Sequence, residues 1–433
     1  MKKKLSRWLK IIIGGAFYLY IFILPWQTKL VLQADANNFK EVSLYASHLL
    51  LVVILVVYFI YKLREKKSAE RISWIWISLA ILELAVLASF FLAVNQFIAF
   101  EHYVLFVSGI GLFFLMREET QAEEEDEGCF KKDRVIYVFL ASLFFQASFG
   151  IYQFLSQSSF VCKYLGLAAH QADIAGTSVV ETATGRWLRA YGGFDHPNIL
   201  GGVLAIALIL VAYLLAKKKK ISSGSEMMES VFLFIFYFVA LIALFFTFSR
   251  SAWLALVVGL VVVFISLLIT RDRWLIGRFV LLMFFSAVMV TIVFLPYQEL
   301  VQTRLSGETR LEQKSLQERR QYLGEAKIVI SRHWLLGVGT GNYVTYLGQQ
   351  DNDIKSTWDY QPVHNVFLLL WAESGILAII SFLAFLFLLV KKNRRAILPA
   401  GVFVGLIILM LFDHWLISLP FGVMFLFLIL SLI

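Results

Sequence analysis

Long apolar stretches, separated by short polar connections, follow one another from end to end of the chain. Twelve have the length of a helix: Ile11–Trp26, Val42–Tyr61, Ile72–Val94, Phe97–Met116, Val135–Ser156, Asn198–Ala216, Val231–Ser249, Ala252–Thr270, Leu275–Pro296, His364–Val390, Ala396–Phe412 and Leu416–Ile433. About 20 mostly apolar residues carry an α-helix across a hydrocarbon layer of roughly 30 Å, and these stretches are too long for strands. The pattern predicts an all-α polytopic membrane protein, with residues 1–433 as a single integral domain. Two connections are long enough to fold, 157–197 and 297–363. The larger, between helices 9 and 10, is expected to be partly helical, because Leu316–Arg332 brings Leu316, Leu323, Ala326 and Ile330 near one helix face.

Composition agrees. With 60% of residues hydrophobic and only 16% charged, no water-soluble fold could hide the apolar surface. Lys and Arg collect in alternate connections: Lys2, Lys3, Lys4, Arg7 and Lys10, then Lys62–Arg71, Lys131–Arg134, Lys217–Lys220, Arg271 with Arg273, and Lys391–Arg395. Twelve crossings put all of them on one side, which the positive-inside rule makes the cytoplasm, so both termini are expected inside and the location is the cytoplasmic membrane. The net charge of +9 is largely these anchors. They face anionic lipid, and no basic groove-reading motif points to nucleic acid. Ala34-Asp35-Ala36 lies too far past the first apolar stretch to be a signal cleavage site, so that stretch is read as a retained helix. Cys129 and Cys162 fall on opposite sides, and neither a disulfide nor a thiolate metal site is expected. The acidic run Glu118–Glu127 reads as a solvated linker, and Gly224 with its Ser neighbours as a mobile loop.

Chemistry enters with positive charge on the opposite side, where Arg186, Arg189, Arg250, Arg304, Arg310, Arg319 and Arg320 all fall. Arg250 stands in Phe248-Ser249-Arg250-Ser251, the whole hairpin between two apolar helices. Alone it could simply snorkel to headgroups. His364-Asn365, however, opens a spanning helix on the same side, and several guanidinium groups beside an imidazole suit an anionic substrate. Guanidinium forks match phosphate oxygens and stabilise charge on a departing pyrophosphate, while an imidazole of pKa near 6.5 can take a proton from a hydroxyl. Gly337-Val338-Gly339-Thr340-Gly341 lacks the Lys-Ser or Lys-Thr of a phosphate loop and reads as a tight turn letting backbone approach the membrane surface. Glu373, nine residues and about 13 Å beyond His364, is expected in a buried helix–helix hydrogen bond.

Four motifs carry a family resemblance: Thr247-Phe248-Ser249-Arg250-Ser251 at a helix end, Gly337-Val338-Gly339-Thr340-Gly341-Asn342-Tyr343, His364-Asn365 running into Glu373-Ser374-Gly375, and Phe194-Asp195-His196-Pro197-Asn198-Ile199-Leu200-Gly201. The chain resembles the O-antigen ligase and polymerase superfamily, most strongly from Tyr191 to Ser374. The resemblance implies a membrane glycosyltransferase of the GT-C type that takes oligosaccharide from an undecaprenyl-pyrophosphate donor at the outer face, without metal or other cofactor. It implies catalytic roles for Arg250, His364 and a loop arginine. The family's Arg-x-x-x-Trp pattern falls on Arg319-Arg320-Gln321-Tyr322-Leu323, with Leu323 in the tryptophan's place; spacing favours Arg319, and Arg320 stays a candidate. Arg320, Arg189, His196 and Asn365 are the expected substrate-binding residues. Inversion is expected, since no carboxylate is evidently placed as nucleophile. Modest outer loops favour a surface-polysaccharide polymerase over a ligase. The partners would be the lipid-linked donor, a glycan acceptor, the bilayer and polysaccharide-assembly proteins. The alternative is a flippase or transporter of a lipid-linked or anionic solute, which would place its charges around a midplane cavity.

Overall fold

The computed structural model describes residues 2–433 except 36, 38, 64–72, 125–127, 184, 218–222, 351–359 and 394–396. Twelve apolar helices stand where the apolar stretches place them: α1 (Lys2–Ile23), α2 (Ala46–Lys62), α3 (Trp74–Phe90), α4 (Gln96–Glu124), α5 (Lys132–Ser156), α6 (Pro197–Lys217), α7 (Gly224–Phe246), α8 (Arg250–Thr270), α9 (Arg273–Phe294), α13 (Val366–Asn393), α14 (Ile397–Phe412) and α16 (Pro420–Leu432). Seven of them are long and apolar enough to cross a membrane, and α1, α2, α3, α14 and α16 are shorter apolar helices. The chain is an all-α polytopic membrane protein. Between the apolar helices lie two antiparallel hairpins, β1 (Lys29–Gln33) with β2 (Val42–Tyr45) and β3 (Val179–Thr182) with β4 (Gly185–Leu188). The segment after α9 folds into α10 (Gln298–Ser306), α11 (Arg310–His333) and α12 (Tyr343–Gln350), and α15 (Trp415–Ser418) precedes α16.

Apolar character all round a helix means burial on all sides, and α6 obeys this: nearly every residue from Ile199 to Ala212 is shielded by α7, α8, α9 and α14. α9 is equally apolar but buries only Leu275, Phe279 and Leu282, leaving its other faces to lipid. α16 is enclosed from Phe421 to Ser431 against α4 and α15. Its 13 residues give about 20 Å, and Pro420 in its first turn follows a break at Leu419, so the last apolar stretch is two helices rather than one.

Several local expectations change. Glu119 is no solvated linker residue: α4 continues through it, and its buried carboxylate accepts from Tyr58 Oη at 2.9 Å with Lys62 Nζ 4.0 Å away. Residues 125–127 of that acidic run lie outside the described residues. Gly224 is the first residue of α7, with Ser223 Oγ capping the helix by accepting from the Glu226 N–H. On α11 the buried stripe is Tyr322, Ala326, Val329 and Ile330, whereas Leu316 and Leu323 are exposed.

The glycine-rich turn approaches α13. α13 is interrupted at Gly375, whose φ of 78° and ψ of −176° suit only glycine. The interruption frees two carbonyls, and the turn occupies them: Val338 N donates to Ala372 O at 2.9 Å and Gly339 N to Glu373 O at 3.0 Å. In return Ile376 N donates to Trp334 O at 2.9 Å. A Cβ on Gly337 would collide with the Glu373 carbonyl, so glycine is what permits this contact. The Glu373 side chain accepts from Gly341 N in the turn at 3.0 Å and from Tyr343 N, the first residue of α12, at 3.4 Å, so it ties α13 both to the turn and to the start of another helix.

Candidate functional site

One cavity of about 330 Å³ opens where the start of α6, α10, α11 and the approach to α13 meet, with the α7–α8 hairpin behind its wall. Its walls carry Arg189, His196, Arg304, Glu312, Arg319 and His364. The hairpin explains two of these. Phe248 is held at a φ of 48°, unusual for a bulky residue, and the turn aims successive carbonyls outward. Thr247 O accepts from Arg189 Nε at 2.6 Å, and Phe248 O accepts from Arg304 Nε at 3.2 Å. Both guanidinium groups are thereby fixed and largely buried.

Arg250, the first residue of α8, does not line the cavity. It stands behind the wall, donating to Arg304 O at 3.1 Å and pairing with Glu312 at 3.2 Å. Glu312 also takes a hydrogen bond from Arg304 and is buried, so this carboxylate holds two arginines together. Burial disfavours the charge of Arg189, and the neighbouring Arg304 adds to it. Such a cluster is relieved when an anion enters.

The bases lie across the cavity. His364 sits two residues before α13, its ring nearly parallel to that of Tyr322 at 5.8 Å between centroids and at right angles to that of His414 at 4.9 Å. Its Nδ1 is buried with no hydrogen-bond partner among the described residues. Burial lowers its pKa, opposed by the Asp413 carboxylate and helped by Arg319. Asp413 is buried where α14 ends; burial raises its pKa, but His364, His414 and His196 outweigh that and hold it below the ordinary carboxylate value. Its Oδ2 accepts from Asn198 Nδ2 at 3.1 Å, and Asn198 Oδ1 in turn accepts from Arg189 Nη2 at 2.8 Å. Asn198 thus links Arg189 to Asp413, which lies beside His364. His196 Nδ1 accepts from Asn198 N at 3.1 Å, leaving Nε2 to meet Ser178 Oγ at 2.9 Å; burial, then Arg189, pushes its pKa down to about 3, so the ring is neutral. His414, whose Nδ1 meets Ser418 Oγ at 2.7 Å, is lowered to about 3 by burial and then by His364. His364, Asp413 and His414 place one donor atom each within 4.8 Å of one another, the group among the described residues whose donors a divalent cation could use.

The structure brings together Arg319, Arg189, His196 and His364, with Arg250 one layer out. Arg320 is exposed and lies outside the cavity. Asn365 is engaged within the fold: its Oδ1 accepts from Leu368 N at 3.0 Å in the first turn of α13, and its Nδ2 donates to Leu411 O at 3.1 Å. The reading of the sequence missed Arg304 as a wall residue, along with Glu312, Asp413 and His414. Only the last pair leaves a signal, an acid and an imidazole in a three-residue connection between two apolar stretches.

Beside Arg304 on α10, Val301 and Leu305 begin a second, apolar groove of about 290 Å³, closed by Leu244 of α7, Trp253 of α8 and Phe294 of α9. Its lining is apolar throughout, and on α10 Val301 and Leu305 flank Arg304 in sequence.

Residues 235–383 match the family model described as O-antigen ligase, a span from within α7 to within α13 that supports placing the chain in the O-antigen ligase and polymerase superfamily. A search of curated proteins finds no match.

Proposed function

We propose that this chain, an O-antigen ligase-type membrane glycan enzyme, takes oligosaccharide from an undecaprenyl-pyrophosphate donor at the outer face of the cytoplasmic membrane and passes it to a growing glycan, as a polymerase more than as a ligase. The observation that carries the reading is a single cavity holding Arg189, Arg304 and Arg319 opposite an imidazole with an unpartnered nitrogen. The guanidinium groups receive the pyrophosphate and stabilise the charge that grows on it as the anomeric bond breaks. The neutral His364 removes the proton of the attacking acceptor hydroxyl, and the adjacent Asp413 stabilises the imidazolium that forms. Of the two carboxylates lining the cavity, Glu312 is held by Arg250 and Arg304 and Glu318 is paired with Lys314, which supports a direct displacement with inversion; the proposed steps call on no metal. The apolar groove starting at Leu305 and Val301 suits the polyprenyl tail, so headgroup and tail have adjoining places. Basic connections on the opposite side support cytoplasmic termini.

Purified protein in vesicles with a fluorescent lipid-linked oligosaccharide provides the test, run with and without a chelator. Longer glycans, with free polyprenyl pyrophosphate, are expected in both conditions. Unchanged lipid carried across the bilayer would mean transport, and product lost with the chelator would assign His364, Asp413 and His414 to a metal.

A further inference from the structure

The segment after α5 is not simply an aqueous loop. α5 ends at Ser156, and Gln157, with a φ of 54°, reverses the chain. The chain then descends along the helix it has just left: the Phe160 ring packs against Phe149 at 4.9 Å between centroids. Phe149 lies seven residues before the helix end, about 10 Å lower. Cys162 and Leu167 close this flap through two backbone hydrogen bonds, Leu167 N to Cys162 O at 2.9 Å and Cys162 N to Leu167 O at 3.1 Å. The far side is tied to the end of α1, since Thr28 Oγ1 donates to Tyr164 O at 2.8 Å and Gly166 lies flat on the Gln27 backbone.

Depth follows from the helices. α5 begins at Lys132, in a cluster of basic residues, and Phe149 stands 17 residues further on, about 26 Å. Counted from that anchor, it is still within a hydrocarbon layer of roughly 30 Å. The end of α1 lies lower on the same helix, because Trp26 Nε1 donates to Ser142 Oγ at 3.2 Å and Gln146 Nε2 to Pro25 O at 3.3 Å. The flap turns Phe160, Val161 and Tyr164 outward, with 50%, 69% and 86% of each exposed. Beside it β1 exposes Leu30, Val31 and Leu32, and α5 exposes Tyr152 and Leu155. The flap and the outward side of α5 form an apolar surface with aromatic rings; Lys163 on it has a stem long enough to reach headgroups, and Lys29 of β1 is paired with Glu41. We propose that residues 158–167, with the outward side of β1, are seated in the outer leaflet at the boundary of headgroups and acyl chains, the bilayer lipid being the partner of this surface. It anchors the α1–α5 corner of the bundle in the membrane plane, as interfacial aromatic belts do.

The claim rests on the membrane-spanning reading and not on glycosyl transfer, so it is tested without an activity readout. In the full chain carrying Cys129→Ser and Cys162→Ser, spin labels are placed at Val161→Cys, Tyr164→Cys and, as a control on the exposed part of the same loop, Asp173→Cys. The protein is reconstituted in vesicles of phosphatidylethanolamine and phosphatidylglycerol. At 161 and 164, collisions with oxygen should exceed those with a water-soluble nickel chelate several-fold, and at 173 the order should reverse. A label on native Cys162, in the chain altered only by Cys129→Ser, gives the same reading in the least altered protein. Nickel access at 161 and 164 equal to that at 173, or shielding from both reagents as under a protein partner, would overturn the proposal.

Discussion

In the proposed mechanism Asp413 and His364 act as a pair, the carboxylate stabilising the imidazolium that forms on proton transfer. Asp413→Asn keeps the shape but removes the anion that stabilises protonated His364, so turnover should fall by roughly 10²-fold with donor affinity little changed, in a steady-state assay separating kcat from KM. The base must be neutral to act, and burial lowers its pKa, so the acid limb of the rate profile should lie below pH 6.5. A limb at or above 6.5 would mean another group is titrating. Stability has the same sign: His196 and His414 are held neutral to about pH 3, whereas in the unfolded chain they take protons from about 6.5 downward. The unfolded state therefore binds more protons as the pH falls, and the apparent melting temperature should drop between pH 6.5 and pH 5. Glu312→Ala strands the buried Arg304 guanidinium and should cost about 3–5 kcal/mol, seen as a lower melting temperature in detergent. Arg319, His364, Arg189 and His196 were legible in the sequence because polar residues beside apolar helices on the outer side stand out. Glu312 was not: it is one acid among several on a polar helix, and only folding shows that two arginines close on it.

At the scale of elements, the glycine turn and α13 form one unit. The sequence showed that Gly337–Gly341 must turn but not what it turns against, since the freed carbonyls exist only because α13 breaks at Gly375, 38 residues on. Gly375→Ala should cost about 1–3 kcal/mol through its backbone alone, and more from overlap with the Leu335 carbonyl. The measurement is the melting temperature together with the fraction of monodisperse protein. α11 was foreseen as amphipathic with its apolar face misplaced, because Leu316 and Leu323 look like core residues until Tyr322 and Val329 are seen buried instead. The split between α15 and α16 was hidden in a stretch that is apolar throughout; Pro420 was its one sign.

For the whole molecule, hydropathy alone located all twelve apolar helices, because a helix facing lipid or other helices has to be apolar along its length. Hydropathy says nothing of which helices meet, so the convergence of the start of α6, α10, α11 and the approach to α13 on one cavity became visible only in three dimensions. The same assembly sets the apolar groove beside Arg304. Leu305→Glu, at an exposed position on that groove, should raise KM for a long-chain polyprenyl donor about tenfold, equivalent to about 1.4 kcal/mol, while leaving kcat and the KM of a short-chain donor near their original values. The most direct test of glycosyl transfer in this cavity measures donor binding and glycan product together, in vesicles, for the unaltered chain and for His364→Ala. The expected result is donor bound with nearly equal affinity and product reduced by roughly 10²-fold to 10⁴-fold. Glycan of normal length, formed by His364→Ala at the unaltered rate, would contradict it.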